Sequence, residues 1–319
     1  TPFDYFFESE VGEVGLEKVL ENIGKVFEKD GPSVIYRGEK EKNLHTRVFV
    51  NKYGLPTYES KEIGLAIKKK ETMDYDSSIV ITADEQSGYF RVVLDALSKI
   101  DPDIVKGIVH IPHGKVKLPG AKKMSSRKGG ILGGEWLINE TDMRVQNIMK
   151  ENGRYNKQDI EETSKKIAIA AIKYAFLKVS IGRDITFDIE KSITFDGDTG
   201  PYLLYVYSRC SSILNDNPSS NGKGLCLDSC LSNSYTKDLV KAISEYEINL
   251  YTAANEYSPS ILCQYLFDLA QKFNSFYQNV RVTDAKEEEK EVLLLIVKST
   301  MSVMKNGLKN LGIDVVERM

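Results

Sequence analysis

Nine consecutive residues, Lys122-Lys123-Met124-Ser125-Ser126-Arg127-Lys128-Gly129-Gly130, concentrate cations, small hydroxyls and glycine. Such a run suits a loop that closes on a polyphosphate. Lysine and arginine neutralise charge, serine hydroxyls donate hydrogen bonds, and glycine lets the backbone approach and move. Transfer of a phosphoryl or nucleotidyl group needs positioning and charge neutralisation more than acid–base groups. The competing reading is a solvated basic loop, the usual fate of a lysine-rich run. Two histidines, in His110-Ile111-Pro112-His113, stand close upstream and read as residues at a strand end. The cysteines, Cys210, Cys226, Cys230 and Cys263, lack zinc-site spacing. Neither zinc nor any other protein-held metal is expected, and free thiols are.

The elements that must position these residues change character along the chain. Residues 33–37 (SVIYR) and 47–50 (RVFV) read as short strands, and 51–54 as a turn. Residues 55–58 resume an extended segment, and a helix is expected over 62–70. Residues 78–82 (SIVIT) form an apolar, β-branched run expected to be a buried strand. Phe90, Val93, Leu94 and Leu97 follow at helical spacing up to Asp101-Pro102, and 107–111 (GIVHI) is a second strand. This is a β-α-β unit, with parallel strands and a ligand site beyond their carboxyl ends, at residues 83–86. Beyond Trp136 the pattern turns helical. Three apolar stripes run through Ile167, Ala171, Tyr174, Leu177 and Ile181, then Leu262 to Val280, then Leu294 to Leu311 before Gly312. A fourth helix is entered through Gly200-Pro201, and residues 215–233 read as a polar loop. The fold class is therefore α/β followed by an all-α helical bundle.

The bulk numbers fit two domains of a globular protein: 319 residues, 41% hydrophobic, 28% charged. No apolar run is long enough for a membrane span, so a cytoplasmic protein is expected. The formal net charge of −3 excludes bulk electrostatic binding of nucleic acid but allows a local basic surface.

Residues 114–129 (GKVKLPGAKKMSSRKG) resemble the Lys-Met-Ser-Lys-Ser loop of class I aminoacyl-tRNA synthetases, in the variant of the arginyl enzymes. Similar stretches lie on both sides and cover nearly the whole chain: Leu44-His45-Thr46-Arg47-Val48-Phe49, Gly54 to Glu62 (GLPTYESKE), Thr82-Ala83-Asp84-Glu85-Gln86 with Phe90, Phe195 to Tyr205 (FDGDTGPYLLY), and the terminal Leu311-Gly312-Ile313 and Glu317-Arg318-Met319. The resemblance implies a partial Rossmann-like catalytic domain followed by a helical anticodon-binding domain of the DALR type. The expected division is 1–139 for the end of the nucleotide-binding domain, 140–184 for a helical connector, and 185–319 for the anticodon-binding bundle. It implies an enzyme that joins arginine to tRNA(Arg) at the expense of ATP, with Mg2+ accompanying the nucleotide, and a monomer. Lys123, Met124, Ser125, Ser126, Arg127 and Lys128 would hold the pyrophosphate half of ATP. Ser126 stands where the general motif has its second lysine, so Arg127 or Lys128 would supply that charge.

A guanidinium substrate calls for a carboxylate partner. The resemblance points to Glu62, joined by Tyr58 and Gln86; the family more often has aspartate at the position of Glu62, so the longer side chain shifts the contact or bridges it by water. For the anticodon it points to Tyr202, Tyr205, Tyr277 and Met319. The tyrosines on their own suit either stacking on unpaired bases or the bundle core. Lys165, Lys166, Lys173 and Lys178 suit tRNA phosphates or a solvated helix face. Class I synthetases also carry a His-Ile-Gly-His motif, and this chain has none. Its opening, Phe3 to Glu10, resembles a point well inside the family's catalytic domain and the chain starts at Thr1 rather than methionine. An upstream part is thus expected to be missing and the chain alone to be inactive. Two other readings stay open: a non-catalytic tRNA-binding module, and another nucleotidyl-transfer enzyme with the same loop.

Overall fold

A computed structural model describes residues 3–73, 75–119, 133–153, 156–217 and 227–319. The chain forms two compact units, Thr1–Lys115 and Val116–Met319.

The first unit begins with α1 (Glu8–Glu21), followed by β1 (Glu28–Asp30), β2 (Ser33–Tyr36) and β3 (Arg47–Val50) in one antiparallel sheet. Asn51 turns the chain by accepting bonds from the Tyr53 and Leu55 amides. Helix α2 (Tyr58–Thr72) then packs along α1. The contact is backbone to backbone: a methyl group at Gly15 would overlap the Ser60 carbonyl, and one at Gly64 the Val11 carbonyl. β4 (Ser78–Ala83) leads through a 3-10 turn, Asp84–Gln86, into α3 (Ser87–Ile100). The short α4 (Pro102–Lys106) follows, its first turn capped by the Asp101 carboxylate on the Asp103 and Ile104 amides. β5 (Ile108–His113) pairs with β4 in parallel, from Ser78 opposite Ile108 to Ala83 opposite His113. Phe27, Tyr36, Phe49, Ile63, Val93 and Leu97 fill the core. The rings of Phe27 and Phe49 lie 4.9 Å apart.

The second unit opens with β6 (Val116–Lys117), which pairs in parallel with β7 (Ile185–Thr186). The rest is helical: α5 (Gly134–Asn152), α6 (Lys157–Leu177), α7 (Ile189–Ser192), α8 (Gly200–Asp216), α9 (Leu227–Ser232), α10 (Ser234–Ser244), α11 (Tyr246–Asn255), α12 (Pro259–Asn279) and α13 (Glu287–Asn310). Helix α8 packs against α6, α12 and α13. Its entry is specific. Thr199 caps it by accepting from the Tyr202 amide at 3.2 Å, and Pro201 sits in the first turn. Gly200 lies where any side chain would strike the Ala170 carbonyl of α6. Leu203, Leu204, Leu266, Phe273, Phe276, Val297 and Met304 are fully enclosed in the bundle core.

Three sequence expectations need correction. Residues 215–233 do not read as loop throughout, because α8 runs to Asp216 and α9 occupies Leu227–Ser232. The helix expected over 62–70 starts four residues earlier, at Tyr58, because the chain leaves its bridge at Pro56 and turns helical directly after Thr57. And β4 is not a buried strand: Ile79 and Ile81 are 49% and 65% exposed. Helix α3 brings Phe90, Val93 and Leu97 to this strand, while Ile79 and Ile81 stay exposed.

Candidate functional site

In the first unit, Glu62 sits on the second turn of α2 and lines a cavity of about 350 Å³ between α2, α3 and β4. Leu65, Ala66, Phe90 and Leu97 give it apolar walls, and Lys69 and Thr82 add polar groups. Burial raises the Glu62 carboxyl above the usual carboxylate range, with Lys69 acting in the opposite direction. Lys69 is lowered by the same burial, and its ammonium donates to the Ser78 hydroxyl at 2.6 Å. Glu62 has no hydrogen-bond partner among the described residues. It is thus a half-buried carboxyl facing a cavity, and a cationic ligand there would favour its ionised form.

Tyr58 and Gln86 stand nearby in the chain's fold but do not line that cavity. Tyr58 opens α2 and is 71% exposed, with the Lys61 ammonium 5.2 Å from its ring centre. Gln86 closes the turn after β4 and is exposed. The two segments are tied by a residue that sequence reading missed. Tyr89, on α3, donates its hydroxyl to the Tyr58 carbonyl at 3.1 Å. Burial, then Glu62 and Glu59, hold its phenol far above the ordinary tyrosine range. The Arg47 guanidinium lies 5.4 Å over the Tyr89 ring and donates to Glu59 at 3.0 Å, so α2, α3 and β3 are joined around the site. His110 takes a structural place: it bonds the Thr82 hydroxyl at 2.8 Å and stacks on Phe90 at 4.4 Å, and burial lowers its pKa.

In the second unit, Tyr205 on α8 and Tyr277 on α12 face one another through a guanidinium. Arg209 lies 4.4 Å from the centre of each ring. Such a sandwich satisfies the cation by ring quadrupoles on both faces. Asn274 locks it: its carbonyl accepts from Arg209 at 3.3 Å, and its amide donates to the Tyr202 hydroxyl at 2.8 Å. Tyr202 is half-buried against Phe267, so it serves the core and the network together. Tyr277 remains 42% exposed. Met319 is half-buried against the bundle. Arg209 and Asn274 were missed in the sequence; the available signal was Arg209 one helical turn after Tyr205. Of the four lysines considered for phosphate contact, Lys166 pairs with Glu162, Lys173 donates to the Gly312 carbonyl, Lys178 holds Asp198, and Lys165 is exposed.

Lys123, Met124, Ser125, Ser126, Arg127 and Lys128 lie outside the described residues, as does Cys226. No group of three His, Cys, Asp or Glu side chains fit for a metal occurs among the described residues, and no described helix is long and apolar enough to cross a membrane.

An α/β unit with a half-buried carboxylate at a cavity, followed by a helical bundle with an aromatic–arginine face, has the form of a class I synthetase catalytic domain joined to an anticodon-binding domain. Residues 9–189 match the family profile "tRNA synthetases class I (R), catalytic domain", and residues 203–319 match "DALR anticodon binding domain". The chain belongs to the class I arginyl-tRNA synthetase family. It is 31% identical over 321 aligned residues to an arginine–tRNA ligase of Flavobacterium psychrophilum, covering 99% of this chain and 53% of that protein. A Clostridium kluyveri arginine–tRNA ligase is 32% identical, with 98% and 56% covered. The chain thus spans about half the length of these curated relatives. In fold it is similar to the arginyl-tRNA synthetase of Thermus thermophilus, at a TM-score of 0.83 and 24% identity over 98% of this chain and 59% of that one. The Plasmodium falciparum arginyl-tRNA synthetase gives 0.82 at 22% identity, with 100% and 54% covered.

Proposed function

We propose that the chain provides the arginine pocket, the phosphate loop and the anticodon surface of an arginine–tRNA ligase. In the reaction the arginine carboxylate attacks the α-phosphate of ATP and pyrophosphate leaves; a terminal ribose hydroxyl of tRNA(Arg) then takes the arginyl group from the adenylate. Glu62 would receive the guanidinium, with Tyr58 and Gln86 beside it. Lys123, Met124, Ser125, Ser126, Arg127 and Lys128 would form the loop over the pyrophosphate half of ATP, and Mg2+ would accompany the nucleotide. Tyr202, Tyr205, Tyr277 and Met319 would meet the anticodon loop, with Arg209 as the cation between the two rings. In this reading residues 1–139 belong to the nucleotide-binding domain, 140–184 to a connector and 185–319 to the anticodon-binding domain, and the protein works as a cytoplasmic monomer. The chain contains no His-Ile-Gly-His tetrapeptide, so on its own it should bind tRNA without activating arginine.

The observation that carries this reading is the sandwich of Arg209 between Tyr205 and Tyr277. Aromatic rings grouped around a cation suit single-stranded bases, at about 1–3 kcal/mol per stacked base. Filter binding of the full chain tests it. Tyr277→Ala should weaken tRNA(Arg) by about tenfold or more and narrow its margin over other tRNAs. Equal affinity for all tRNAs, unchanged by Tyr277→Ala, would refute the assignment.

A further inference from the structure

We propose that Glu317 is a positioning residue: it latches the tail after α13 onto α8 and so fixes where Met319 rests against the bundle. This inference rests on the anticodon reading above and extends it to a residue outside the expected contact set.

The tail leaves α13 through Gly312, whose positive φ of 67° suits glycine. Ile313 then donates to the Leu308 carbonyl at 2.9 Å. Leu311, Ile313 and Val316 are buried and seat the chain as far as Val316. Beyond Val316 the tail has no apolar anchor until Met319. Glu317 supplies a polar one. One carboxylate oxygen accepts from the Tyr207 hydroxyl at 2.9 Å, the other from Ser211 at 3.1 Å, and its backbone carbonyl accepts from Ser208 at 3.2 Å. All three donors are on α8, and all three residues are buried, at 2%, 4% and 6% exposure for Tyr207, Ser208 and Ser211.

Three buried hydroxyls converging on one residue are not needed for packing. Left unpaired, each would cost about 1–3 kcal/mol. Burial and Glu317 also push the Tyr207 phenol up to about 12, which keeps it a donor at any physiological pH. The latch uses a side of α8 different from that of Tyr205 and Arg209, because neither Tyr207 nor Ser211 lies three or four residues from either of them along the helix. Met319 is two residues beyond Glu317, so the chain allows it no more than about 7 Å of travel from the latch. Without the latch a flexible methionine beyond Val316 would lose more rotamer and backbone freedom on binding.

The test is the affinity of the full chain for tRNA(Arg) and for an arginine anticodon stem–loop. The proteins are the parent, Glu317→Ala, Glu317→Gln, a deletion of Met319, and the Glu317→Ala chain lacking Met319. Thermal unfolding of each is followed in parallel. Glu317→Ala should weaken both RNAs about tenfold. Glu317→Gln should recover most of this, because an amide still accepts from Tyr207 and can pair with Ser211. The chain with both changes should bind no more weakly than the Met319 deletion alone, since a positioning residue loses its effect once the residue it positions is gone. Additive losses, or Gln as poor as Ala, would overturn the latch. So would unchanged binding by Glu317→Ala when Tyr277→Ala still weakens it. If Tyr277→Ala also leaves binding unchanged, the anticodon reading itself fails. Should Glu317→Ala not fold, Ser211→Ala removes one arm of the latch and is judged by the same non-additivity with the Met319 deletion.

Discussion

Glu62 is a carboxylate that the fold keeps largely out of water without giving it a hydrogen-bond partner among the described residues. Its pKa is raised by burial, so the folded protein holds this proton more tightly than the unfolded chain does. Below the ordinary carboxylate pKa both states carry the proton and Glu62 costs nothing. As pH rises through the raised folded value the buried charge appears, and stability falls. Glu62→Gln should therefore raise the unfolding temperature at pH 7 and leave it nearly unchanged at pH 4, as scanning calorimetry would register. An equal shift at both pH values would show that the charge is not the cause. The same substitution should remove arginine binding, measured by calorimetric titration, and arginine affinity of the parent should decline as pH falls through the raised value. A site that gives up stability for function is a common arrangement. At this scale the sequence was partly readable. The identity of Glu62 came from its motif, but its desolvation depends on Phe90 and Leu97, about thirty residues away. Tyr89 and Arg209 were missed because their partners, Tyr58 and Tyr277, are distant in sequence or on another helix.

At the scale of elements, the position of Glu62 depends on how closely α1 and α2 approach. Gly15 and Gly64 make that crossing possible, and Gly64 is two residues beyond Glu62 on the same helix. Gly64→Ala should destabilise the chain by about 1–3 kcal/mol in urea titration, although alanine is the better helix former by about 1 kcal/mol. Gly88→Ala in α3 is the control, because nothing lies within 4 Å of the added methyl group. That variant should be neutral or slightly stabilising; a matching loss would mean the α1–α2 contact is not the reason. Elements with strong periodicity were legible. The stripe from Leu262 to Phe276 lies in the core, and so does the one from Leu294 to Leu308. The start of α2 was not, because Thr57 makes no side-chain cap bond and the boundary is set by the tertiary bridge from Val50 to Pro56. Residues 78–82 were right as a strand and wrong as a buried one. An apolar run reports that a strand suits burial, and among the described residues Ile79 and Ile81 remain exposed.

At the scale of the whole molecule, the second unit encloses its core and the first leaves β4 partly bare. Parallel strands are ordinarily covered on both faces. Here Ile79 and Ile81 project at alternate positions of β4, and that strand pairs with β5 alone among the described residues. Ile81→Lys should raise the soluble yield of the chain and slow its light scattering at high concentration, with little change in unfolding temperature. Unaltered scattering would place the sticky surface elsewhere. The bare strand also bears on what the first unit can meet. An apolar strand face open to solvent offers a surface on which another strand or helix could pack.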